Sequence, residues 1–110
     1  MKFTQSLKKN QDFQIVFKEG KSRANKYFVM YVRKNDKNIS RLGISVSKKV
    51  GNSVVRHRVK RLVKESYRLH ENMFNSGLDI VVIARKGAEE LDYKGTEGSV
   101  IHLFKLHKLI

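Results

Sequence analysis

Histidines, acids and serines are the residues of this sequence with the chemistry for catalysis or metal binding. The four histidines show no spacing typical of a metal site, and His102 and His107 stand about 140° apart on a helix, so they do not share a face. The ten acids are scattered, and there is no cysteine to supply a thiolate or a disulfide. The sequence therefore predicts neither a catalytic residue nor a metal site.

Gly51 stands between a predicted strand and a predicted helix, which is where a phosphate-binding loop would occur. The stretch that begins there, GNSVVRHR, lacks the lysine followed by serine or threonine that ends such a loop. No serine lies in a nucleophile elbow. Catalysis by this chain alone is therefore not indicated.

Positive charge dominates the sequence, with 24 lysines and arginines against 10 acids and a formal net charge of +14. Such self-repulsion favours a polyanionic partner, either nucleic acid or an anionic membrane. The cations are densest over residues 48–68, where Glu65 is the one acid. The predicted binding set in this stretch is Lys48, Lys49, Arg56, His57, Arg58, Lys60, Arg61, Lys64 and Arg68.

A helix that begins near Ser53 would divide this stretch into two faces. Apolar residues collect on one side: Val55, Val59, Leu62, Val63 and Leu69. Cations and a histidine collect on the other side: His57, Lys60, Arg61, Lys64 and Arg68. We predict that the first face is buried and that the second meets a strongly negative partner.

A solvated helix face is the ordinary explanation for a charge run, but solvated helices usually mix signs. This face has almost no acids, its arginines suit phosphate geometry, and Lys48 and Lys49 extend it to a helix N-terminus. A membrane-surface helix would need bulky apolar residues, whereas the apolar side here is mostly valine. Nucleic-acid binding is therefore favoured, and recognition of the backbone is expected because His57 alone on this face resembles a base-reading residue.

Aromatic residues offer a second surface. Phe13 and Phe17 lie on one stripe of a predicted helix, and Tyr31 lies on a predicted strand. Core packing is the ordinary explanation of this stripe, and it suits Val16 best. Alternatively, the three rings form a trough on which single-stranded bases stack.

Strands and a crossover helix are expected to position these residues. Strands are predicted over residues 26–33 and 41–47, joined as an antiparallel hairpin by the polar run 35–38. The basic helix is predicted over residues 53–73, and the apolar run 78–85 is predicted to be a central strand covered on both faces. Strand, helix and strand in this order form a βαβ unit with parallel pairing.

Two further helices flank this unit. The first is predicted over residues 11–18, with Asn10 as its N-cap and Gly20 as a left-handed residue at its end. The last is predicted over residues 97–109, with a start weakened by two glycines.

The length of 110 residues and a hydrophobic fraction of 40% predict a single domain over residues 1–110. Residues 1–9 are predicted to be a basic, loosely ordered arm. There is no apolar run of about 18 residues and no apolar core of a signal peptide, so a soluble intracellular protein without a membrane partner is expected.

Two stretches together resemble the protein component of bacterial ribonuclease P. They are RLGISVSKKVGNSVVRHRVKR, residues 41–61, and NQDFQIVFKEGKSRANKYFVMY, residues 10–31. The order of elements continues to match through IVVIARKGA to the last helix, so the resemblance covers nearly the whole chain. It implies an α+β fold, an α/β sandwich like the second domain of ribosomal protein S5. Helices would pack on a mixed central sheet of about four strands with a left-handed βαβ crossover, against the usual right-handed rule.

The resemblance also implies a function, that of the accessory RNA-binding subunit of ribonuclease P, an endonuclease that removes the 5′ leader of precursor tRNA. Hydrolysis would take place on the catalytic RNA subunit with Mg²⁺. The expected partners are this RNA and precursor tRNA, and the protein alone is expected to be a cytoplasmic monomer. The alternatives are a ribosomal-type structural RNA-binding protein without a processing role and a stand-alone nuclease.

By matched position, the resemblance implies contacts between the catalytic RNA and Lys48, Lys49, Arg56, Arg58, Lys60, Arg61 and Lys64. It implies a leader-binding cleft formed by Phe13, Phe17, Tyr31, His57 and Lys60. His57 stands where the family usually has asparagine, so the amide's simultaneous donor and acceptor are lost. Lys64 stands where arginine is common, so the charge is kept but the bidentate fork is lost.

Overall fold

The computed structural model describes residues 4–73 and 77–110 and shows an α+β architecture. The elements are, in order, β1 (Thr4–Ser6), α1 (Asn10–Glu19), β2 (Lys21–Ala24), β3 (Phe28–Lys34), β4 (Ser40–Ser45), α2 (Ser53–Arg68), β5 (Leu78–Ala84) and α3 (Tyr93–Leu106). Two single-turn 3₁₀ helices, Glu71–Met73 and Ala88–Glu90, follow α2 and β5.

Within the described residues, the strands form one mixed sheet of five strands in the order β1-β4-β5-β3-β2. β5 is parallel to β4 and antiparallel to β3, so the predicted βαβ unit and the predicted central strand are confirmed. The predicted hairpin between β3 and β4 is wrong, because β5 lies between them. β5 is apolar along its whole length, and such a strand is buried on both faces and paired along both edges only in the centre of a sheet. β5 therefore lies between β3 and β4 and keeps them apart.

Among the described residues, the sheet has one strand more than the four expected. Its two edge strands, β1 and β2, were not predicted because both are short and polar. β2 pairs with β3, and its own four residues are all exposed. β1 has three residues and pairs in parallel with β4. Neither strand has the alternating apolar pattern by which strands are predicted.

The loose arm predicted for residues 1–9 is corrected at residues 4–7, where Thr4–Ser6 form β1 and Leu7 packs on the sheet, whereas Lys8 and Lys9 are exposed and belong to no helix or strand. The backbone N–H of Leu7 donates to the carbonyl oxygen of Leu42 at 2.8 Å, and the Leu7 side chain is buried. The Thr4 hydroxyl shares a buried hydrogen bond of 2.8 Å with the Tyr67 hydroxyl. These contacts fix the segment between β4 and α2, and residues 1–3 lie outside the described part.

Helices cover both faces of the sheet. On one face, α2 and α3 bury Val59, Val63, Tyr67, Val100, Leu103 and Phe104 against Phe28, Met30, Leu42, Ile80 and Val82. On the other face, α1 buries Val16 against Leu7 and Val81. Alternation along β5 sends Ile80 and Val82 to the first face and Val81 to the second.

The helix ends differ from the predictions for local reasons. α2 ends at Arg68, short of residue 73, so Leu69 is a C-cap residue and is exposed rather than buried. α3 begins at Tyr93, before residue 97, because the Asp92 side chain accepts a hydrogen bond of 2.8 Å from the Gly95 N–H and caps the first turn.

Gly20 follows α1, but its backbone is extended, with φ −80° and ψ 160°, so the predicted left-handed conformation is wrong. Glycine is required there for space. A Cβ at this position would lie 2.6 Å from the carbonyl oxygen of Val16.

Candidate nucleic-acid interface

α2 carries most of the predicted binding residues, and its start is fixed by Asn52. The Asn52 side chain accepts a hydrogen bond from the Val55 N–H at 3.0 Å, which caps the helix. Val59 and Val63 are buried against the sheet. The apolar side of α2 therefore holds the helix on the core and turns the opposite side to solvent.

The cationic face is formed by five exposed residues: Lys48 and Lys49 in the turn before α2, and Lys60, Arg61 and Lys64 along it. Within residues 4–73 and 77–110, none of the five forms an ion pair with a carboxylate. His57 is exposed beside them. The sequence prediction of an exposed positive face is confirmed for these residues.

Three other predicted cations already have partners within the protein. The half-buried Arg56 and Arg58 donate to backbone carbonyl oxygens, of Gly51 at 2.9 Å and of Leu91 at 3.0 Å. Arg68 is exposed and forms an ion pair with Glu65 at 2.6 Å. These arginines are less available to a phosphate than the cationic face is.

A cavity of about 460 Å³ opens between α2 and the edge of the sheet formed by β1 and β4. We call it the edge pocket; it is lined by Ser6, Leu7, Lys8, Leu42, Ile44, His57, Lys60, Arg61 and Lys64. Four of these residues were predicted as binding residues from the sequence. The other five were not, because Ser6, Leu7 and Lys8 lie in the segment predicted to be a loose arm and because Leu42 and Ile44 have the pattern of ordinary core residues.

The aromatic trough is formed by Phe13, Phe17 and Tyr31, which are all half-buried on the α1 face of the sheet. The ring centroids lie 6.2 Å apart for Phe13 and Phe17, and 5.0 Å apart for Phe17 and Tyr31. Gly43 on β4 leaves room for the Phe13 ring, since a Cβ there would lie 2.6 Å from a ring carbon. The rings therefore contribute to the core and also keep exposed area on which a base can stack.

The edge pocket and the aromatic trough lie on opposite faces of the sheet. His57 and Lys60 line the edge pocket together with Leu42 and Ile44, whose side chains belong to the α2 face. The three rings belong to the α1 face. Leu7 contacts both regions at the β1 edge, so the structure places the five residues predicted for one cleft in two adjoining sites.

A different set of charges, centred on Asp79 of β5, is used inside the protein. Asp79 is opposite Arg33 on β3 and Arg41 on β4, and its side chain is fully buried. Arg41 donates to both carboxylate oxygens at 2.9 and 2.8 Å, and Arg33 donates to one of them at 3.2 Å. The Asn35 amide adds a hydrogen bond of 2.8 Å.

α1 completes this Asp79 cluster with two more carboxylates. Asp12 lies 3.3 Å from Arg41, and Glu19 lies 3.0 Å from Arg33. Burial by itself would raise the pKa of Asp79, but the hydrogen bonds and charges of its partners outweigh this effect and hold the pKa below its usual range. Arg33 and Arg41 therefore stabilise the fold and are not part of the cationic face.

The described residues form neither a cluster of metal ligands nor a membrane-spanning helix. Within residues 4–73 and 77–110, no three histidine, aspartate or glutamate side chains converge as metal ligands. No helix in this part is both long and apolar enough to cross a membrane.

An open cationic face together with an aromatic trough, on one α+β domain, is typical of a nucleic-acid-binding protein. Comparison with known proteins identifies the family within this class. The family model described as Ribonuclease P matches residues 1–108. The ribonuclease P protein component of Lachnoclostridium phytofermentans is 60% identical over 107 residues, which are 97% of this chain and 92% of that one.

Solved structures agree with the family match. The ribonuclease P protein of Staphylococcus aureus superposes with a TM-score of 0.88 at 41% identity, covering 94% of this chain and 95% of that one. The ribonuclease P protein of Thermotoga maritima superposes with a TM-score of 0.83 at 40% identity, covering 93% of this chain and 96% of that one. This chain belongs to the ribonuclease P protein family. Members of this family are the protein subunit of ribonuclease P, an endoribonuclease that processes the 5′ end of tRNA.

Proposed function

We propose that the cationic face binds the catalytic RNA subunit and that the aromatic trough holds the 5′ leader of precursor tRNA. The observation that carries this proposal is the contrast in pairing: five exposed cations lack a carboxylate partner within the described residues, whereas Arg33 and Arg41 are fully paired. When unpaired cations neutralise RNA phosphates, the counterions condensed on the RNA are released, and this release favours binding.

The position of the trough supports a single-stranded ligand. Beyond Gly43, Ser45 and Ser47 follow on the same side of the chain and lead to the exposed Lys48 and Lys49. A strand of RNA laid along this path would meet rings first, then hydroxyl groups, then cations. Such a surface suits single-stranded RNA, whose bases are free to stack.

We propose further that hydrolysis takes place on the RNA subunit with Mg²⁺. This proposal assigns the Mg²⁺ ligands to the RNA. Within residues 4–73 and 77–110, no three carboxylate or imidazole side chains converge as metal ligands. The contribution of this chain is to neutralise phosphates and to fix the leader.

The test compares RNA substrates with and without a leader, in the presence of a bacterial catalytic RNA at low Mg²⁺. Wild-type protein should promote cleavage of precursor tRNA and should bind the precursor more tightly than mature tRNA. Tyr31→Ala should weaken the binding free energy of the precursor by about 1–3 kcal/mol, because one stacking ring is lost. The affinity for mature tRNA should not change. Tyr27→Ala is the matched control, since Tyr27 packs against the other core cluster.

Circular dichroism should confirm that both tyrosine variants are folded. Equal losses for precursor and mature tRNA would show that Tyr31 only packs the core. A wild-type protein that gave no stimulation and no preference for a leader, but bound ribosomal RNA, would favour the structural RNA-binding alternative.

A further inference from the structure

The edge pocket has a chemistry that binding of phosphates alone does not require. Its floor is apolar, formed by Leu7, Leu42 and Ile44. Its mouth is cationic, formed by Lys8, Lys60, Arg61 and Lys64, and its lining contains no acid among the described residues. A flat cationic surface would be enough for a sugar-phosphate backbone, so an apolar cavity behind the cations indicates a ligand with an apolar part.

We infer that the edge pocket takes one unstacked base of the catalytic RNA. This inference rests on the proposed function, because it requires the cationic face to bind that RNA. The phosphates on either side of the base would lie at the cationic mouth while the base enters the cavity. Unpaired bases that are turned out of a helix or loop are commonly recognised in this way. The volume of about 460 Å³ lies within the range of pockets that hold small organic ligands.

His57 is the aromatic residue among those that line the pocket, and it lies at the mouth beside Lys60 and Arg61. It is exposed on the first half of α2 and lines the same cavity as Lys60 and Arg61. Imidazole stacks on bases as other aromatic side chains do. The catalytic RNA is the favoured source of the base, because the leader is assigned to the trough on the opposite face of the sheet.

Ser6 allows the pocket to be filled without removing a charge or a core residue. Thr4 faces α2, where it bonds to Tyr67, so alternation along β1 turns Ser6 to the same face and Gln5 to the other. Ser6→Trp would therefore occupy the cavity. Gln5→Trp is the matched control, with the same new side chain one residue away on the opposite face.

The probe is the full-length catalytic RNA without precursor tRNA, mapped both by a base-selective methylating reagent and by backbone cleavage with hydroxyl radicals. Wild-type protein should protect one unpaired base within its backbone footprint. With Ser6→Trp, this base should become reactive while the backbone footprint stays, and affinity should fall about tenfold because one buried base is lost. The dependence of affinity on salt should not change, since no cation is removed. Gln5→Trp should behave as wild type.

Base protection that Ser6→Trp leaves intact would overturn the inference and leave the proposed function standing. A base that is protected only when leader-bearing precursor tRNA is present would also overturn it, because the pocket would then belong to the leader. Absence of any backbone footprint with wild-type protein would overturn the proposed function as well. If Ser6→Trp does not fold, Ser6→Leu against Gln5→Leu applies the same test with a smaller side chain.

Discussion

The cationic face and the Asp79 cluster contain the same kinds of residue and use them in opposite ways. In the cluster, Arg33 and Arg41 surround a carboxylate that is fully buried and lies between them in the sheet. On the cationic face, Lys60 and Arg61 stand on an exposed helix surface without a carboxylate partner among the described residues. One arrangement joins three strands, and the other leaves charge for a ligand.

The difference shows that the net charge of +14 overstates how many cations are available to bind RNA and does not reveal that some arginines stabilise the sheet. Counting residues does not separate an arginine that stabilises the sheet from an arginine that meets RNA. Pairing separates them, since a buried ion pair costs stability when one partner is removed, whereas an unpaired surface cation affects mainly binding. Changes to the two groups should therefore have separate effects.

The largest effect is expected from Asp79→Ala, which leaves two arginines facing an empty site at the centre of the sheet. The free energy of unfolding should fall by about 3–5 kcal/mol, because breaking a buried pair leaves uncompensated charge. Urea denaturation followed by circular dichroism measures this change. Asp36→Ala, in the exposed loop after β3, is the control and should leave stability nearly unchanged. Equal stability of the two variants would contradict a structural role for the cluster.

Acid should weaken the same cluster. The pKa of Asp79 is lower in the folded protein than in the unfolded chain, where it is about 3.9, so the stability from this group is present above that pH and is lost as pH falls through the folded value. Stability should therefore decrease below about pH 4. The Asp79→Asn variant should be less stable than wild type at neutral pH, but its free energy of unfolding should fall less than that of wild type between pH 5 and pH 3. Denaturation curves at several pH values would show whether the two proteins differ in slope.

Arg61→Ala should affect binding without affecting the fold. Loss of one phosphate contact should weaken RNA binding to a similar degree for different sequences and should reduce the slope of log affinity against log salt by about one. The melting temperature should stay near that of wild type, because Arg61 is exposed. Lys94→Ala, which removes an exposed cation from the first turn of α3, is the control. A fall in melting temperature with an unchanged salt slope would place Arg61 with the structural arginines.

The smallest effect is expected from Glu65→Gln, which frees Arg68 from its exposed ion pair. Stability should hardly change, because pairs this exposed contribute little. RNA affinity at low salt should rise slightly, since Arg68 would join the cationic face. Titration of labelled catalytic RNA at two salt concentrations measures the change. No gain in affinity would show that the RNA does not reach the last turn of α2.

Local patterns in the sequence account for the elements that carry the site. The two faces of α2 follow from a period of 3.6 residues, and the buried centre of β5 follows from a continuous apolar run, so both were predictable. The cationic residues on α2 were predictable for the same reason. β1 and β2 were not, because a short polar strand is defined by its neighbour rather than by its own residues.

By itself, the sequence determined which residues are cationic, which side of α2 they occupy and that a polyanion is the partner, because these properties depend on residues close together in the chain. Tertiary structure alone decided which cations are free. Arg33 and Arg41 are 46 and 38 residues from Asp79, and only the register of three strands brings them to its carboxylate. The edge pocket likewise exists only because β1 lies beside β4 and beneath α2. Pairing across such distances depends on packing of the whole sheet, which no local pattern contains.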